Sequence, residues 1–524
     1  MVMTGTHTER VDSTMRSYVD WRSGFSFVGT ILRKLSIAPL VPALVAVYYG
    51  EDLLPFILTT VAMFGTGFAL EQLRDDRKLG KREALLMVSA TWLVVPVFGA
   101  IPYLIAGQGT IAQPVNALFE SMSGFTTTGS TVLAEISFEQ HSHSVLLWRQ
   151  LTQWIGGMGI IVLMVAILSE LSVAGAQVIN EEAPGFSLEK LTPQIQETAR
   201  ALWKIYLGFT VAAALVYYGL HLAGLAPNMG TYNAVAHALT TMPTGGFSPE
   251  ARSVEAFAPI VQWAVMPFMI VAGTNFALLW YLFNGEPRQL TRNPEFRTYL
   301  LAVASIGSLL SILLLTGLGI AEIPTNIGQL SGNLENSLRQ GLFQTIAIIT
   351  TTGYASMDFN TWGESTQLIL LFAMFLGGSA GSAAGSVKII RWYIVSRAMG
   401  RQLFTTIHPS AIRPIRLNDD TVNEETVRDI FVFIFIFVSI FVFSTVLIYL
   451  DALRIGLNIS ALEAISTTIA TLGNIGPGVG VVGPMNNFRP FSAPAKLYMV
   501  VLMWIGRLEI ISVLVVFTPS FWQQ

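Results

Sequence analysis

Threonine and glycine recur two residues apart at four places: Thr127-Thr128-Gly129, Thr244-Gly245-Gly246, Thr351-Thr352-Gly353 and Thr471-Leu472-Gly473. No side chain in these phrases is charged. Glycine reaches positive φ at little steric cost, so such a stretch can aim successive backbone carbonyls at one axis. The threonine adds a hydroxyl oxygen to the set. Four loops of this kind at one level would line a tube with neutral oxygens, which suits a dehydrated potassium ion that must bind and then leave. A calcium pore would instead carry a ring of Asp or Glu, and the four phrases hold none. One Thr-x-Gly is an ordinary turn. Four copies in matching surroundings imply a repeated unit.

Each phrase follows a short, semi-apolar lead-in and lies between two long apolar stretches. The chain has 524 residues, 52% of them hydrophobic and only 12% charged. Soluble domains carry about 25% charged residues, so this composition excludes an ordinary soluble protein and fits one that crosses a membrane many times. The lead-ins are too short to cross the ~30 Å hydrocarbon layer. Loops at that depth are tolerated only where they line a wet cavity or are buried in protein. The expected fold is therefore all-α: four repeats of helix, pore helix, filter loop and helix around a pseudo-fourfold pore, plus two N-terminal transmembrane helices. That makes ten spans and four re-entrant helices. The expected boundaries are a cytoplasmic tail over 1–36, two extra helices and a basic loop over 37–84, and pore repeats over 85–175, 176–290, 291–420 and 421–524. The two extra spans read as Ile37–Tyr49 and Leu53–Leu70, and the second helices of repeats two and four read as unbroken.

Lysine and arginine set the orientation. On this segmentation, 22 of the 30 fall on the side of the N-terminal tail, and five (Arg252, Arg339, Arg454, Arg489 and Lys496) on the side of the Thr-x-Gly loops. Both termini are thus expected in the cytoplasm, with the loops entering from outside. The first 36 residues hold five cationic side chains and no early apolar run, so no cleavable signal peptide is expected. There is no cysteine, which excludes disulfides, thiolate metal sites and cysteine nucleophiles.

Ten small residues run from Gly377 to Ser386, inside the second helix of the third repeat. Glycine costs a helix about 1 kcal/mol relative to alanine, so a straight helix through Gly377, Gly378, Ser379, Gly381, Ser382 and Gly385 is unfavourable. The stretch reads as a break whose loop lies across the pore; the alternative is close helix packing on a GxxxGxxxG spacing. Arg507 stands in an otherwise apolar segment, where a charge costs roughly 2.5–3.5 kcal/mol on insertion scales and marks function by default. It is expected to meet the loop's carbonyls or to repel cations beneath the filter, the structural alternative being a pair with Glu509 or a neighbour. Lys388 and Arg391 read as snorkelling cations. Arg149 reads as a brace of the outer vestibule, and Asn275 as a hydrogen bond between helices.

The chain resembles the Trk/Ktr/HKT superfamily of potassium transporters, and within it the TrkH family. The matching phrases are SMSGFTTTGST (Ser121–Thr131), TMPTGGFSP (Thr241–Pro249), TIAIITTTGYAS (Thr345–Ser356) and TIATLGNIGPG (Thr468–Gly478). WRQLTQWIGGMGI (Trp148–Ile160), GGSAGSAAGSVKIIR (Gly377–Arg391) and GRLEI (Gly506–Ile510) extend the likeness. The resemblance implies a homodimer in the inner membrane of a prokaryote, each protomer with its own pore, docked on a cytosolic nucleotide-binding ring called TrkA. It implies K+ in the pore, no cofactor in this chain, and a nucleotide on the regulator. It further implies that the filter glycines favour potassium and that the small-residue stretch is an intramembrane gate.

Other motifs read as decoys. Gly478-Val479-Gly480-Val481-Val482-Gly483 matches a dinucleotide pattern but follows a filter loop rather than a strand. Glu139, His141 and His143 fit no common metal spacing. No nucleophile has a base beside it and no phosphate-binding loop is present, so neither an enzyme nor an ATP-driven pump is expected, nor a nucleic-acid partner. The rival to a channel-like transporter is a sodium- or proton-coupled secondary transporter, whose folds carry two related halves rather than four similar loops. A membrane-embedded enzyme is the third reading, weakened by the missing catalytic constellation.

Overall fold

The computed structural model describes residues 19–73, 80–171, 188–322, 326–417 and 420–523. The tail before residue 19 and the basic residues 74–78 lie outside the described residues, as does the expected boundary between the first two repeats. Three helices come first: α1 (Trp21–Leu35), α2 (Leu40–Tyr49) and α3 (Leu54–Glu71). The first span differs from expectation. α1 and α2 together form one 29-residue segment, Trp21–Tyr49, so the chain becomes helical well before Ile37. Arg22, Arg33 and Lys34 hide this segment from a hydropathy reading. Its inner face is small and polar (Ser23, Gly24, Ser26, Gly29), and it packs on α3 with Gly29 and Gly67 in backbone contact. Arg33 pairs with Glu71 at 3.1 Å.

The four repeats follow. The first has α4 (Lys81–Gly99), its continuation α5 (Ile101–Ile105), the lead-in α6 (Pro114–Phe125) and α7 (His143–Leu171). The second has α8 (Leu188–Leu222), the lead-in α9 (Thr231–Thr241), α10 (Pro259–Ala272) and α11 (Phe276–Phe283). After the short α12 (Pro287–Arg292), the third has α13 (Pro294–Thr316), the lead-in α14 (Leu334–Ile349), α15 (Glu364–Ala373) and α16 (Ile389–Ile407). A two-residue hairpin, β1 (Arg416–Leu417) with β2 (Asp420–Thr421), leads to the fourth. That repeat has α17 (Glu424–Arg454), the lead-in α18 (Ala461–Leu472), α19 (Ala493–Arg507), α20 (Ile511–Leu514) and the terminal α21 (Pro519–Trp522).

Six of these segments are long and apolar enough to cross a membrane. Two more are bent pairs: α10–α11 turns by 101° at Gly273-Thr274-Asn275, and α19–α20 turns by 111° after Arg507. The 29-residue α7 and the broken pair α15–α16 stand where two further spans are expected. The sequence reading had the third-repeat break but not the other two. At the second-repeat break, Asn275 caps the start of α11 by accepting from Ala277 N at 2.9 Å, so it begins a helix rather than joining two. At the fourth-repeat break, Glu509 and Ile510 take φ of 57° and 49°.

The extra N-terminal helices are tied to the first repeat by Glu51, between α2 and α3. Its carboxylate accepts from His143 N at 2.7 Å, Ser144 N at 2.9 Å and Ser144 Oγ at 2.6 Å, closing the exposed amides at the start of α7. Burial alone would raise the Glu51 pKa. The bonds from Ser144 and His143 outweigh it and hold the carboxyl below its ordinary value.

Candidate functional site

The four lead-in helices end at a common centre, which brings the partial negative charge of each C-terminus there. Beyond each end the backbone repeats one conformation. Thr127, Thr244, Thr351 and Asn474 have φ of 50°, 56°, 55° and 52°. Two residues later Gly129, Gly246, Gly353 and Gly476 have φ of 83°, 79°, 72° and 106°. Carbonyls of an ordinary strand point alternately to opposite sides. Putting every second residue in the left-handed region turns them to the same side. A left-handed β-branched residue is uncommon, and strain of this kind costs about 1–3 kcal/mol per residue, so it persists where the surroundings impose it.

The glycines interlock as a closed ring. A Cβ at Gly129 would fall on the carbonyl oxygen of Gly245, one at Gly246 on Thr352 O, one at Gly353 on Ile475 O, and one at Gly476 on Thr128 O. Each loop thus presses its glycine against a carbonyl of the next, and the fourth returns to the first.

This geometry corrects the fourth phrase. Thr471 and Leu472 are the last turn of α18, and Gly473 caps it with φ −83°. The Thr471 hydroxyl is spent inside the helix, on Thr467 O and Thr468 O at 3.0 Å each. The strand in the ring is Asn474-Ile475-Gly476. The lead-in runs three residues further than the Thr-x-Gly register implies. A readable signal was present: Asn tolerates the left-handed region better than most residues and is followed two positions later by glycine.

Side chains behind the ring hold it. Gln153 on α7 donates to Gly245 O at 2.7 Å and accepts from Phe247 N at 3.1 Å. Asn474 donates to Thr128 Oγ1 and to Met503 O, both at 2.9 Å, joining the first and fourth loops to α19. Tyr354 reaches from the third loop to His237 O at 3.0 Å on the second lead-in. The Thr127 hydroxyl is buried with no protein partner among the described residues. Arg149 forms a fully buried pair with Glu120 at 2.8 Å and donates to Ser248 O at 3.2 Å, joining the first lead-in to the second loop. Glu120 also accepts from Val132 N at 2.9 Å and from the Thr131 hydroxyl.

The small-residue stretch is not a helix, which removes the packing alternative. From Met374 to Lys388 the chain is a folded loop closed at its base by Gly377 N to Val387 O at 2.8 Å. One side rests on the second-repeat break: Ser379 N donates to Gly273 O at 2.9 Å, and Phe276 N donates to Gly381 O at 3.1 Å. The other side rests on the fourth repeat, where a Cβ at Gly385 would meet Gly473 O. Its tip bonds the ring, Gly385 N donating to the Thr351 hydroxyl at 2.7 Å. Ser382 closes a turn within it by donating to Ser379 O at 2.6 Å, while Gly378 is packed against Gly273. The loop thus reaches from the second repeat to the fourth beneath the third.

Arg507, at the end of α19, is buried, and its Nη1 donates to Ala383 O in this loop at 2.8 Å. It does not pair with Glu509, which pairs with Arg391. Lys388 corrects a second reading. It is 4% exposed and does not snorkel; its ammonium turns back on Ala384 O. From the other flank Glu295, buried at the start of α13, accepts from Ala380 N at 2.6 Å. Sequence reasoning missed Glu295, since a lone acid in the first turn of a helix resembles ordinary capping. Among the described residues no group of three His, Asp or Glu is placed to hold a metal ion. His143 instead stacks between Tyr49 and Phe138, with centroids 3.8 and 4.2 Å away. The Gly478–Gly483 pattern forms a short 3₁₀ turn beside Asn360, with no strand before it.

Residues 56–524 match the family model described as TrkH, cation transport protein. The Trk system potassium uptake protein TrkH of Vibrio parahaemolyticus is 33% identical over 517 residues, covering 97% of this chain and 100% of that protein. The Escherichia coli protein of the same name is 31% identical, covering 93% and 99%. Among solved structures, that of the potassium transporter TrkH from Vibrio parahaemolyticus superposes with a TM-score of 0.82 at 31% identity, covering 96% of this chain and 100% of the other.

Proposed function

The chain belongs to the TrkH family of cation transport proteins, and on that premise we propose that it takes up potassium across the cytoplasmic membrane through a gated, channel-like pore. The observation that carries this reading is the closed ring in which four glycines press on four neighbouring carbonyls. Such a ring offers neutral oxygens in place of an ion's hydration shell. The buried, unpartnered Thr127 hydroxyl supports it by leaving an oxygen free at ring level. Potassium is the cargo. The selectivity filter in this proposal is Thr127–Gly129, Thr244–Gly246, Thr351–Gly353 and Asn474–Gly476.

The gate is the loop Met374–Lys388, with Arg507 holding it through Ala383 O. A guanidinium has five donors and no acceptor, so it can grip carbonyls while placing a positive charge beneath the filter. Control comes from a cytosolic, TrkA-like nucleotide-binding regulator that docks on the basic stretches 284–297 and 391–428. The working unit is a homodimer with both termini in the cytoplasm.

The test is rubidium uptake by reconstituted protein against sodium competition. Uptake that excess sodium leaves largely unchanged is expected. Equal permeation of the two ions would overturn the reading. Charge reversal in both basic stretches should abolish pull-down of the regulator, and undiminished capture would remove the docking assignment.

A further inference from the structure

A cavity of about 550 Å³ opens between the α12–α13 junction, the middle of α16 (Tyr393 to Arg401) and the segment entering β1. Its lining contains five arginines, Arg292, Arg397, Arg401, Arg413 and Arg416, and no acid. Arg401 is engaged with Glu424 through a two-pronged bond. For the other four no ion pair is seen among the described residues. Two lie over rings: Arg413 Cζ is 4.9 Å from the centroid of Phe404, and Arg397 Cζ is 5.2 Å from that of Tyr393.

Four guanidinium groups with no ion pair among the described residues surround one exposed concavity, so an anion seated among them is attracted by all four at once. The planar fork of arginine matches the oxygens of a phosphate bidentately, and stacking on a ring fixes the fork in advance. The volume is in the range of ordinary small-molecule sites. We propose that this cavity binds a phosphate-bearing anion, supplied either by a lipid headgroup or by a soluble phosphate compound.

The position gives the site a consequence. Pro294 lines the cavity, and its neighbour Glu295 accepts from Ala380 N in the loop below the ring at 2.6 Å. An occupant therefore sits one residue from a tether of that loop. The proposal shares its arginines with the stretches given to the regulator, and its test reads anion binding in the regulator's absence, so docking and anion binding can each fail alone.

The experiment uses the full chain, without any regulator, in nanodiscs of neutral phosphatidylcholine. Inorganic pyrophosphate is titrated by calorimetry at low salt, and phosphatidylglycerol retention is followed in parallel by native mass spectrometry. Saturable binding of pyrophosphate or of phosphatidylglycerol is expected. Arg413→Gln and Arg416→Gln should each weaken it about tenfold, the scale of one charge-assisted hydrogen bond. Arg397→Lys, which keeps the charge and loses the fork, should also weaken it. Arg489→Gln, which removes an exposed arginine elsewhere, should leave it unchanged. Displacement of pyrophosphate by phosphatidylglycerol would assign the site to a headgroup, and indifference to that lipid would assign it to a soluble phosphate. Absence of saturable binding by either probe overturns the proposal, as does an equal loss in Arg489→Gln.

Discussion

The backbone amide of Gly385 donates to the hydroxyl of Thr351 at 2.7 Å. One hydrogen bond therefore joins the loop beneath the ring to the ring itself. Displacing the loop from the ring breaks this bond, and the loop is held as well by Arg507 to Ala383 O, Ser379 N to Gly273 O, Phe276 N to Gly381 O and Ala380 N to Glu295. Each of these is a single hydrogen bond of modest net strength, about 0.5–3 kcal/mol.

Arg507→Ala removes the guanidinium and frees Ala383 O. Flux per reconstituted molecule should rise while the preference for rubidium over sodium is kept, because the ring is built from other residues. Thermal unfolding measured on the same preparation separates this from a packing defect. Lower stability with unchanged flux would end the gate assignment.

Gly129→Ser places a side chain where Gly245 O already sits, at a φ of 83° that serine rarely adopts. The first quarter of the ring must open. Sodium should then compete with rubidium in liposome uptake more effectively than in the parent. An unaltered permeability ratio would count against the ring as the filter.

The register of the fourth loop can be tested directly. Leu472→Met conserves volume on a helix and should leave selectivity unchanged, at a stability cost below about 1.5 kcal/mol. Asn474→Ala leaves the Thr128 hydroxyl and Met503 O without their donor, costing about 1–3 kcal/mol, and should loosen selectivity. The reverse pattern in flux competition would restore the earlier register.

Arg149→Met strands Glu120 as a buried, uncompensated charge, and loss of one partner of such a pair costs about 3–5 kcal/mol. A marked drop in melting temperature is expected. Combining it with Glu120→Gln should recover part of the loss. Equal melting temperatures for parent and Arg149→Met would show that the brace carries no load.

Glu51 gives a pH dependence with a defined sign. Its folded pKa lies below the ordinary 4.5, so its contribution is complete above that value and is lost as pH falls through the folded pKa. Glu51→Gln should cost about 0.5–2 kcal/mol at neutral pH, on the scale of a helix cap, and should flatten the acid limb of the stability curve. An identical acid limb in parent and variant would refute the assignment.

Three of the four loops, most of the long apolar segments and the small-residue break are legible because each depends on local composition. Thr-x-Gly marks a strained turn, a long apolar run marks a span, and clustered glycines mark a break. The rest depends on partners distant in sequence. α18 continues through Leu472 because Gly506 lets α19 approach its backbone closely. Lys388 turns inward because Ala384 O is in reach. α1 becomes a span because Gly29 and Gly67 bring it against α3, despite three cationic residues. None of these contacts leaves a periodic trace in the sequence.

Because all four quarters of the ring lie on one chain, a substitution in one loop is delivered once. A pore assembled from four identical subunits would deliver it four times. The Asn474-Ile475-Gly476 quarter shows this freedom already in use: one wall differs while three keep threonine at the same station. Such a ring can be adjusted in steps of one quarter, so the discrimination between two ions can drift gradually through sequence change rather than jump.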